Sequence, residues 1–138
     1  MVHILKNVWH CRSVVVDATG LGQPVASFLR QALGPRVVPF EFTAPSKSGL
    51  GFDLLAAINS GRLKMYCADN SPEYREFWWE MEKARSYFRP SRTLNFYVDP
   101  SEGHDDYLMS LALLVRAARF NRDRSAHGLA LNTAVGTG

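Results

Sequence analysis

The sequence predicts an α/β protein in which helices flank a central mixed sheet. Apolar residues recur at helical spacing in some segments and alternate with polar residues in others. The two kinds of segment follow one another along the chain, which is the order that α/β and α+β domains show. A chain of 138 residues is also long enough to bury one core, so we expect a single domain.

Composition restricts the class of protein but not its function. The hydrophobic share is 46% and the charged share 21%, as in ordinary soluble globular proteins. No apolar run is long enough to span a bilayer, and no signal-peptide pattern opens the chain. The net charge of +3 is compatible with a polyanionic partner. Two cysteines form neither a disulfide framework nor a metal-binding pair, so a reducing cytoplasm is the expected location.

The first ten residues predict a helix, because four apolar side chains share one helical stripe. They are Val2, Leu5, Val8 and Trp9. No capping residue precedes this stripe, which is the pattern expected of a chain that begins inside an existing element.

A strand follows at Val14–Val16 and ends at Asp17. Three successive β-branched residues are typical of a central strand that is buried on both faces. Gly20 and Gly22 then permit a sharp turn into a helix, and Gly34 is a natural place for that helix to end.

The remaining elements alternate in the same way. Strands are predicted where apolar and polar residues alternate, and helices where apolar residues recur every three or four positions. In order, they are a strand over 36–42, a helix from Ser46 or Ser48 to Gly61, a strand over 63–67, a helix opened by Ser71 and Pro72, a strand over 93–98, and a helix over 105–120. The last helix is apolar nearly all round and is therefore predicted to be buried. Residues 1–122 form the predicted domain, and residues 123–138 a disordered tail.

Asp17 is the first candidate site residue. It lies where a strand ends, and the carboxyl ends of strands are where open α/β sheets bind ligands. An acid in that position can hold a cation, or it can accept a hydrogen bond from the amide of Thr19 or Gly20 and stabilise the turn. Position alone does not separate these two interpretations.

His104, Asp105 and Asp106 form the second candidate, at the start of the last helix. One acid is enough to cap a helix, so the second acid and the neighbouring histidine exceed what capping requires. Hard cations such as Mg²⁺ prefer carboxylates together with water and phosphate oxygens. Two-metal sites hold their ions roughly 4 Å apart and need carboxylates from separate elements. Asp17 and Asp105 or Asp106 are suited to such a site.

Three segments, taken in order, resemble a known family. Residues 14–22, Val-Val-Val-Asp-Ala-Thr-Gly-Leu-Gly, resemble the second acidic motif in the nuclease domain of phage terminase large subunits. His104-Asp105-Asp106, followed by Ser-Leu-Ala-Leu at residues 110–113, is similar to the third motif of that family. Ser46-Lys47 and the run Ile-Asn-Ser-Gly-Arg-Leu at residues 58–63 resemble the spacer between the two motifs. The resemblance covers roughly residues 1 to 120, and the ordered set is more specific than any one motif.

The resemblance implies a ribonuclease H-like fold and a Mg²⁺- or Mn²⁺-dependent endonuclease that cuts concatemeric viral DNA during genome packaging. Asp17 is then the second metal-ligating acid, and Asp105 or Asp106 the third. His104 is expected near the metal or the scissile phosphate, and Lys47 near the DNA. The implied partners are double-stranded DNA, the small terminase subunit and the portal, in the cytoplasm of a bacterial host; no membrane is implied.

The sequence also departs from the family pattern. The first acid of the family precedes the opening helix, whereas Asp17 is the only acid before Gly20 here. No phosphate-binding loop of an ATPase domain is present. These departures predict a nuclease domain that lacks its first strands, an unpaired edge on the Val14–Val16 strand, and a weak metal site that is slow or inactive by itself. The alternatives are a non-catalytic remnant that binds DNA or a partner, and another ribonuclease H-like nuclease such as a resolvase or transposase fragment.

Overall fold

The computed structural model describes the backbone of residues 1–134 and the side chains of residues 1–120. It confirms a mixed α/β chain. The chain divides into two compact units, where the sequence predicted one domain. The first unit contains Met1–Glu41 and Arg116–Gly138, and the second contains Phe42–Val115.

The first unit is built around a parallel pair of strands. Its elements are a π-helical turn Ile4–Val8, strand β1 (Val14–Asp17), helix α1 (Gly22–Leu33), a 3-10 turn Gly34–Arg36 and strand β2 (Val37–Phe40). The register of the sheet pairs Val14 with Val37 and Asp17 with Phe40. Because α1 connects two parallel neighbours, this is a β-α-β crossover.

A small apolar cluster holds the first unit together. Leu29 and Leu33 of α1 and Val37 of β2 are its buried members. Val14 and Val16 pack against the cluster, as do Val2 and Leu5 from the N-terminal turn. The prediction that β1 is buried on both faces is wrong, since its valines are only half-buried and Asp17 is exposed. In the described part of the chain β1 pairs with β2 alone, which agrees with the predicted unpaired edge.

The second unit combines two helices, a hairpin and the start of a long third helix. Its elements are α2 (Ala44–Asn59), α3 (Pro72–Lys83), β3 (Arg85–Phe88), β4 (Leu94–Tyr97) and the first turns of α4 (Asp106–Ala134). β3 and β4 are antiparallel, with Arg85 opposite Tyr97 and Phe88 opposite Leu94.

Helix α2 packs closely on β4 because of two small residues. The Oγ of Ser48 accepts a hydrogen bond from the Leu94 amide at 2.9 Å. A Cβ added to Gly51 would lie only 2.9 Å from side-chain atoms of Leu94 and Phe96. Glycine at position 51 therefore sets the distance between the helix and the strand.

The start of α2 differs from the prediction. Thr43, not Ser46 or Ser48, is the N-cap residue, and its Oγ1 accepts a hydrogen bond from the Ser46 amide at 3.2 Å. Ser46 completes a capping box, since its Oγ accepts from the Thr43 amide at 2.8 Å. The prediction for α3 is confirmed, because the Ser71 Oγ accepts from the Tyr74 amide at 3.0 Å.

The predicted strand over 63–67 is wrong. This segment has no regular secondary structure, and the strand that pairs with β4 is β3, which the alternation of apolar residues did not reveal. The sequence pattern did not predict β3, because all four residues of this strand are exposed. A strand without a buried face has no hydrophobic period to read.

Helix α4 also differs from the prediction of a helix buried on all sides. Leu108, Leu111 and Ala112 are buried, whereas Leu114 is 62% exposed. Among the side chains that are described, which end at residue 120, one stripe of the helix is therefore covered. Its backbone is helical to Ala134, where the sequence predicted a disordered tail from residue 123, and residues 135–138 lie outside the described residues. No helix among the described residues has the length and apolar character needed to cross a membrane.

Candidate active site

Asp17 lies in the turn that connects β1 with α1. Its Oδ1 accepts a hydrogen bond from the Thr19 amide at 2.8 Å. Gly20 has a φ of 52°, a left-handed conformation that glycine adopts without strain. A Cβ at Gly22 would collide with the main-chain carbonyl of Asp17. The interpretation of Asp17 as a turn residue is therefore confirmed.

The hydrogen bond in the turn uses one of the two oxygens of the Asp17 carboxylate. The bond to Thr19 uses Oδ1, and the Asp17 side chain is exposed to solvent. An exposed carboxylate carries little desolvation cost, so Asp17 needs no cation for its stability.

The N-terminus of α4 is capped by a residue from another helix. Glu80 of α3 is only 2% exposed, and its Oε2 accepts hydrogen bonds from the amides of Tyr107 at 2.8 Å and Leu108 at 3.0 Å. These amides belong to the first turn of α4, which has no intrahelical acceptors for them. A carboxylate in this position also interacts favourably with the helix dipole.

Because Glu80 caps α4, the side chains of Asp105 and Asp106 are not needed for capping. Capping was the alternative to metal binding that the sequence offered for these two residues. Asp105 contributes its main-chain carbonyl, which accepts from the Met109 amide at 2.9 Å. Within Phe42–Val115, neither aspartate side chain accepts a hydrogen bond or forms a salt bridge. Asp105 is half-buried, and Asp106 and His104 are exposed.

Three carboxylates thus lie close together at the head of α4. Burial raises the pKa of Glu80, and the Leu108 and Tyr107 amides oppose that shift. The negative charges of Asp106 and Asp105 raise the pKa of Glu80 further. The head of α4 is therefore a place of concentrated negative charge that a bound cation would stabilise.

Lys47 interacts electrostatically with this acidic group. It is half-buried on α2, with its Nζ 5.3 Å from the centroid of the Phe96 ring. Burial lowers the pKa of Lys47, Asp105 opposes that effect, and Arg89 adds to it. Two predicted site residues that are far apart in sequence, Lys47 and Asp105, therefore interact electrostatically.

The predicted site residues are divided between the two units. Asp17 belongs to the first unit, and Lys47, His104, Asp105 and Asp106 belong to the second. Among the residues whose positions are described, no group of three or more His, Cys, Asp and Glu side chains is arranged to hold a metal ion. The unbonded carboxylates of Asp105 and Asp106 are nevertheless of the chemical type that Mg²⁺ prefers, since Mg²⁺ commonly takes one or two carboxylates and keeps several waters.

Glu80 is the residue that sequence reasoning missed. The sequence did contain a pattern that indicates a role for Glu80, because this residue follows Phe77 by three positions and so lies on the apolar stripe of α3. A lone acid on a buried stripe needs a hydrogen-bond donor from elsewhere.

No protein-family profile, curated protein or solved structure matches this chain.

Proposed function

We propose that this chain carries the second and third acidic motifs of a phage terminase-type nuclease domain with a ribonuclease H-like fold. Its activity is then metal-dependent endonucleolytic cleavage of concatemeric double-stranded DNA during genome packaging. Asp105 and Asp106 of the second unit are the proposed ligands of Mg²⁺ or Mn²⁺, and the resemblance gives the carboxylate of Asp17 in the first unit the same chemical role. The small terminase subunit and the portal are the proposed protein partners, in the cytoplasm of a bacterial host.

The arrangement at the head of α4 is the observation that carries this proposal. Helix capping was the ordinary explanation for Asp105 and Asp106, and Glu80 performs that role instead. Two carboxylates without hydrogen bonds, whose charges also raise the pKa of the buried Glu80, concentrate negative charge at the head of α4 that would attract a cation. This supports metal binding at Asp105 and Asp106.

Lys47 supports a phosphate substrate. Burial lowers the pKa of its half-buried ammonium, and the Asp105 carboxylate opposes that shift, so Lys47 supplies positive charge within electrostatic range of the proposed metal ligands. A bound Mg²⁺ or Mn²⁺ supplies Lewis acidity toward the phosphate and promotes ionisation of the attacking water. Lys47 would bind a DNA phosphate oxygen, and exposed His104 would donate a hydrogen bond to the same phosphate.

Metal titration combined with a cleavage assay tests the proposal. We expect weak Mn²⁺ binding by calorimetry, lost in Asp105→Asn/Asp106→Asn and reduced in Asp17→Asn. Glu76→Gln is the matched control, because it neutralises an exposed acid of the same unit and should bind Mn²⁺ as the parent does. Nicking of plasmid DNA that requires Mn²⁺ and is lost in the same variants would show that the bound metal supports DNA cleavage.

The opposite results are equally clear. If the folded protein binds no Mn²⁺, or if Glu76→Gln has the same effect as the double variant, the metal-site assignment is wrong. Salt-sensitive DNA binding that is unchanged in both aspartate variants would identify a non-catalytic DNA-binding protein instead.

A further inference from the structure

The outer edge of β3 has unpaired main-chain groups. The Arg89 amide donates to the Thr93 carbonyl at 2.9 Å, which makes these two residues a hydrogen-bonded pair. Hydrogen-bonded and non-hydrogen-bonded pairs alternate in an antiparallel ladder. Ser86 and Phe88 therefore point their amides and carbonyls away from β4, and among the described residues no other strand pairs with β3.

An apolar cleft lies along the same strand. Its volume is about 470 Å³, and all its walls belong to the second unit. The wall residues include Leu55, Ile58, Met65, Trp78, Met81 and Ser86. Ile58 is 49% exposed and Leu55 42%, so the cleft leaves substantial apolar surface in contact with water.

The edge and the cleft are parts of one surface. Ser86 lines the cleft and is also one of the two residues whose main-chain groups are unpaired. The Ser86 and Phe88 side chains share the face of the hairpin that meets α2, as the Phe88 and Phe52 rings show by their 6.1 Å separation. A strand added beside β3 would place every second side chain on that face.

We propose that the β3 edge and its cleft bind an extended peptide segment of a partner protein, by addition of a strand to the β3–β4 hairpin. The peptide main chain pairs with Ser86 and Phe88, and alternate apolar side chains enter the cleft. Strand addition of this kind derives affinity from main-chain hydrogen bonds and specificity from pockets for alternate side chains.

The charged residues around β3 indicate which residues should flank the apolar part of the peptide. The segment of residues 83–92 contains four basic residues and no acidic one. Lys83 and Arg85 both bind Glu102, at 3.4 and 2.6 Å. Within Phe42–Val115, Arg89 and Arg92 have no acidic partner within salt-bridge distance. The segment that binds should therefore carry acidic residues beside its apolar core.

The observations favour a peptide over DNA at this surface. Arginines alone would suit either partner, but an apolar cleft offers nothing to a phosphate backbone. Unpaired main-chain amides and carbonyls in strand geometry match another strand specifically. This proposal does not depend on the nuclease assignment.

The test uses the full 138-residue chain and a labelled nine-residue peptide with alternating valine and threonine between paired glutamates. Fluorescence anisotropy should show saturable binding. Two modified forms of the same peptide are compared with it. One is N-methylated at the amides that would face β3, and the other, which is the control, is N-methylated at the amides on the opposite edge. Methylation of the edge that pairs with β3 should weaken binding roughly tenfold or more, as expected for lost main-chain bonds. Amide exchange at Ser86 and Phe88 should slow when the unmodified peptide binds, while exchange at Tyr87 should not change.

Two pairs of variants locate the site. Leu55→Asp places a charge in the cleft and should weaken binding roughly tenfold. Ala56→Asp is the matched control, because the neighbouring residue is exposed and outside the cleft. Ser86→Pro removes an outward amide without removing a bond to β4, whereas Ser86→Ala keeps that amide. Only the proline variant should lose affinity.

Several results would overturn the proposal. Equal binding of the unmodified peptide and both N-methylated forms would exclude strand pairing. Concentration-dependent dimerisation that protects Ser86 and Phe88 would make a second copy of this chain the occupant. Competition by duplex DNA, with no exchange protection from the peptide, would assign the surface to nucleic acid.

Discussion

Asp17 and the aspartates at the head of α4 occupy comparable places, since Asp17 lies just before α1 and Asp105 and Asp106 lie where α4 begins. At Asp17 the carboxylate has a structural role, because its Oδ1 accepts the Thr19 amide two residues on. At the head of α4 the equivalent role is taken by Glu80 from another helix. Asp105 and Asp106 are therefore left without a hydrogen-bonding role in their own unit.

The difference shows how an acid at a helix start should be judged. Sequence offers a capping explanation for any such residue. Whether that explanation applies depends on what the rest of the fold brings to the free amides. Here one acid is explained by its own turn, whereas two others are left for a different role.

The largest expected effect comes from removing the cap on α4. Glu80→Ala should lower the free energy of unfolding by about 2–4 kcal/mol, because two amides lose their acceptor and a buried side chain leaves a cavity. Glu82→Ala changes an exposed acid of the same helix and should change the free energy by less than about 0.5 kcal/mol. Urea denaturation followed by tryptophan fluorescence measures both. Equal stability of the two variants would mean that Glu80 is not the cap.

A somewhat smaller effect is expected at the Asp17 turn. Gly22→Ala should destabilise the protein by about 1–3 kcal/mol, since the new Cβ meets the Asp17 carbonyl and the backbone must move. Gly49→Ala in α2 is the control, because nothing lies within 4 Å of its added Cβ. That change should be neutral or stabilise the helix by up to about 1 kcal/mol. Thermal denaturation followed by circular dichroism compares the two.

The side chain of Asp17 should matter less than the backbone around it. Asp17→Ala removes an exposed hydrogen bond and should cost about 0.5–1 kcal/mol. Asp17→Asn keeps an oxygen acceptor for Thr19 and should stay close to the parent in urea denaturation. If both variants lose the same stability, charge rather than the turn bond is what Asp17 contributes.

The pH dependence of stability provides a finer test of the α4 cap. Because the pKa of folded Glu80 lies above its ordinary value of 4.5, the native state binds a proton more tightly than the unfolded state. Above pH 4.5 the free energy of unfolding should therefore fall as pH rises through the raised pKa. Glu80→Gln cannot titrate and should lack this component. Urea denaturation of both proteins at a series of pH values measures the difference, and parallel pH profiles would contradict the assignment.

The smallest effect is expected at the two aspartates themselves. Asp105→Asn and Asp106→Asn should each change the free energy of unfolding by no more than about 0.5 kcal/mol. The loss of a favourable helix-dipole interaction is offset by relief of repulsion with Glu80. A loss above about 1 kcal/mol in urea denaturation would show that these residues cap α4 after all.

Sequence by itself determined the features that depend on neighbours in the chain. The α/β class follows from the hydrophobic period of each segment, and the Ser71 cap of α3 from an interaction within three residues. The bond between Asp17 and Thr19 is equally local, and it was one of the two roles that the sequence offered for Asp17. Sequence patterns predict such contacts well, because the interacting groups lie within one turn of backbone.

Tertiary structure decided the features that join distant segments. Glu80 meets the Tyr107 amide across 27 residues, and the Ser48 hydroxyl meets the Leu94 amide across 46. The choice of β3 over residues 63–67 as the partner of β4 is of the same kind. A local pattern shows that a residue can be buried or bonded, but the packing of other elements selects its partner. At the head of α4, that selection leaves the side chains of Asp105 and Asp106 without a hydrogen bond in the second unit.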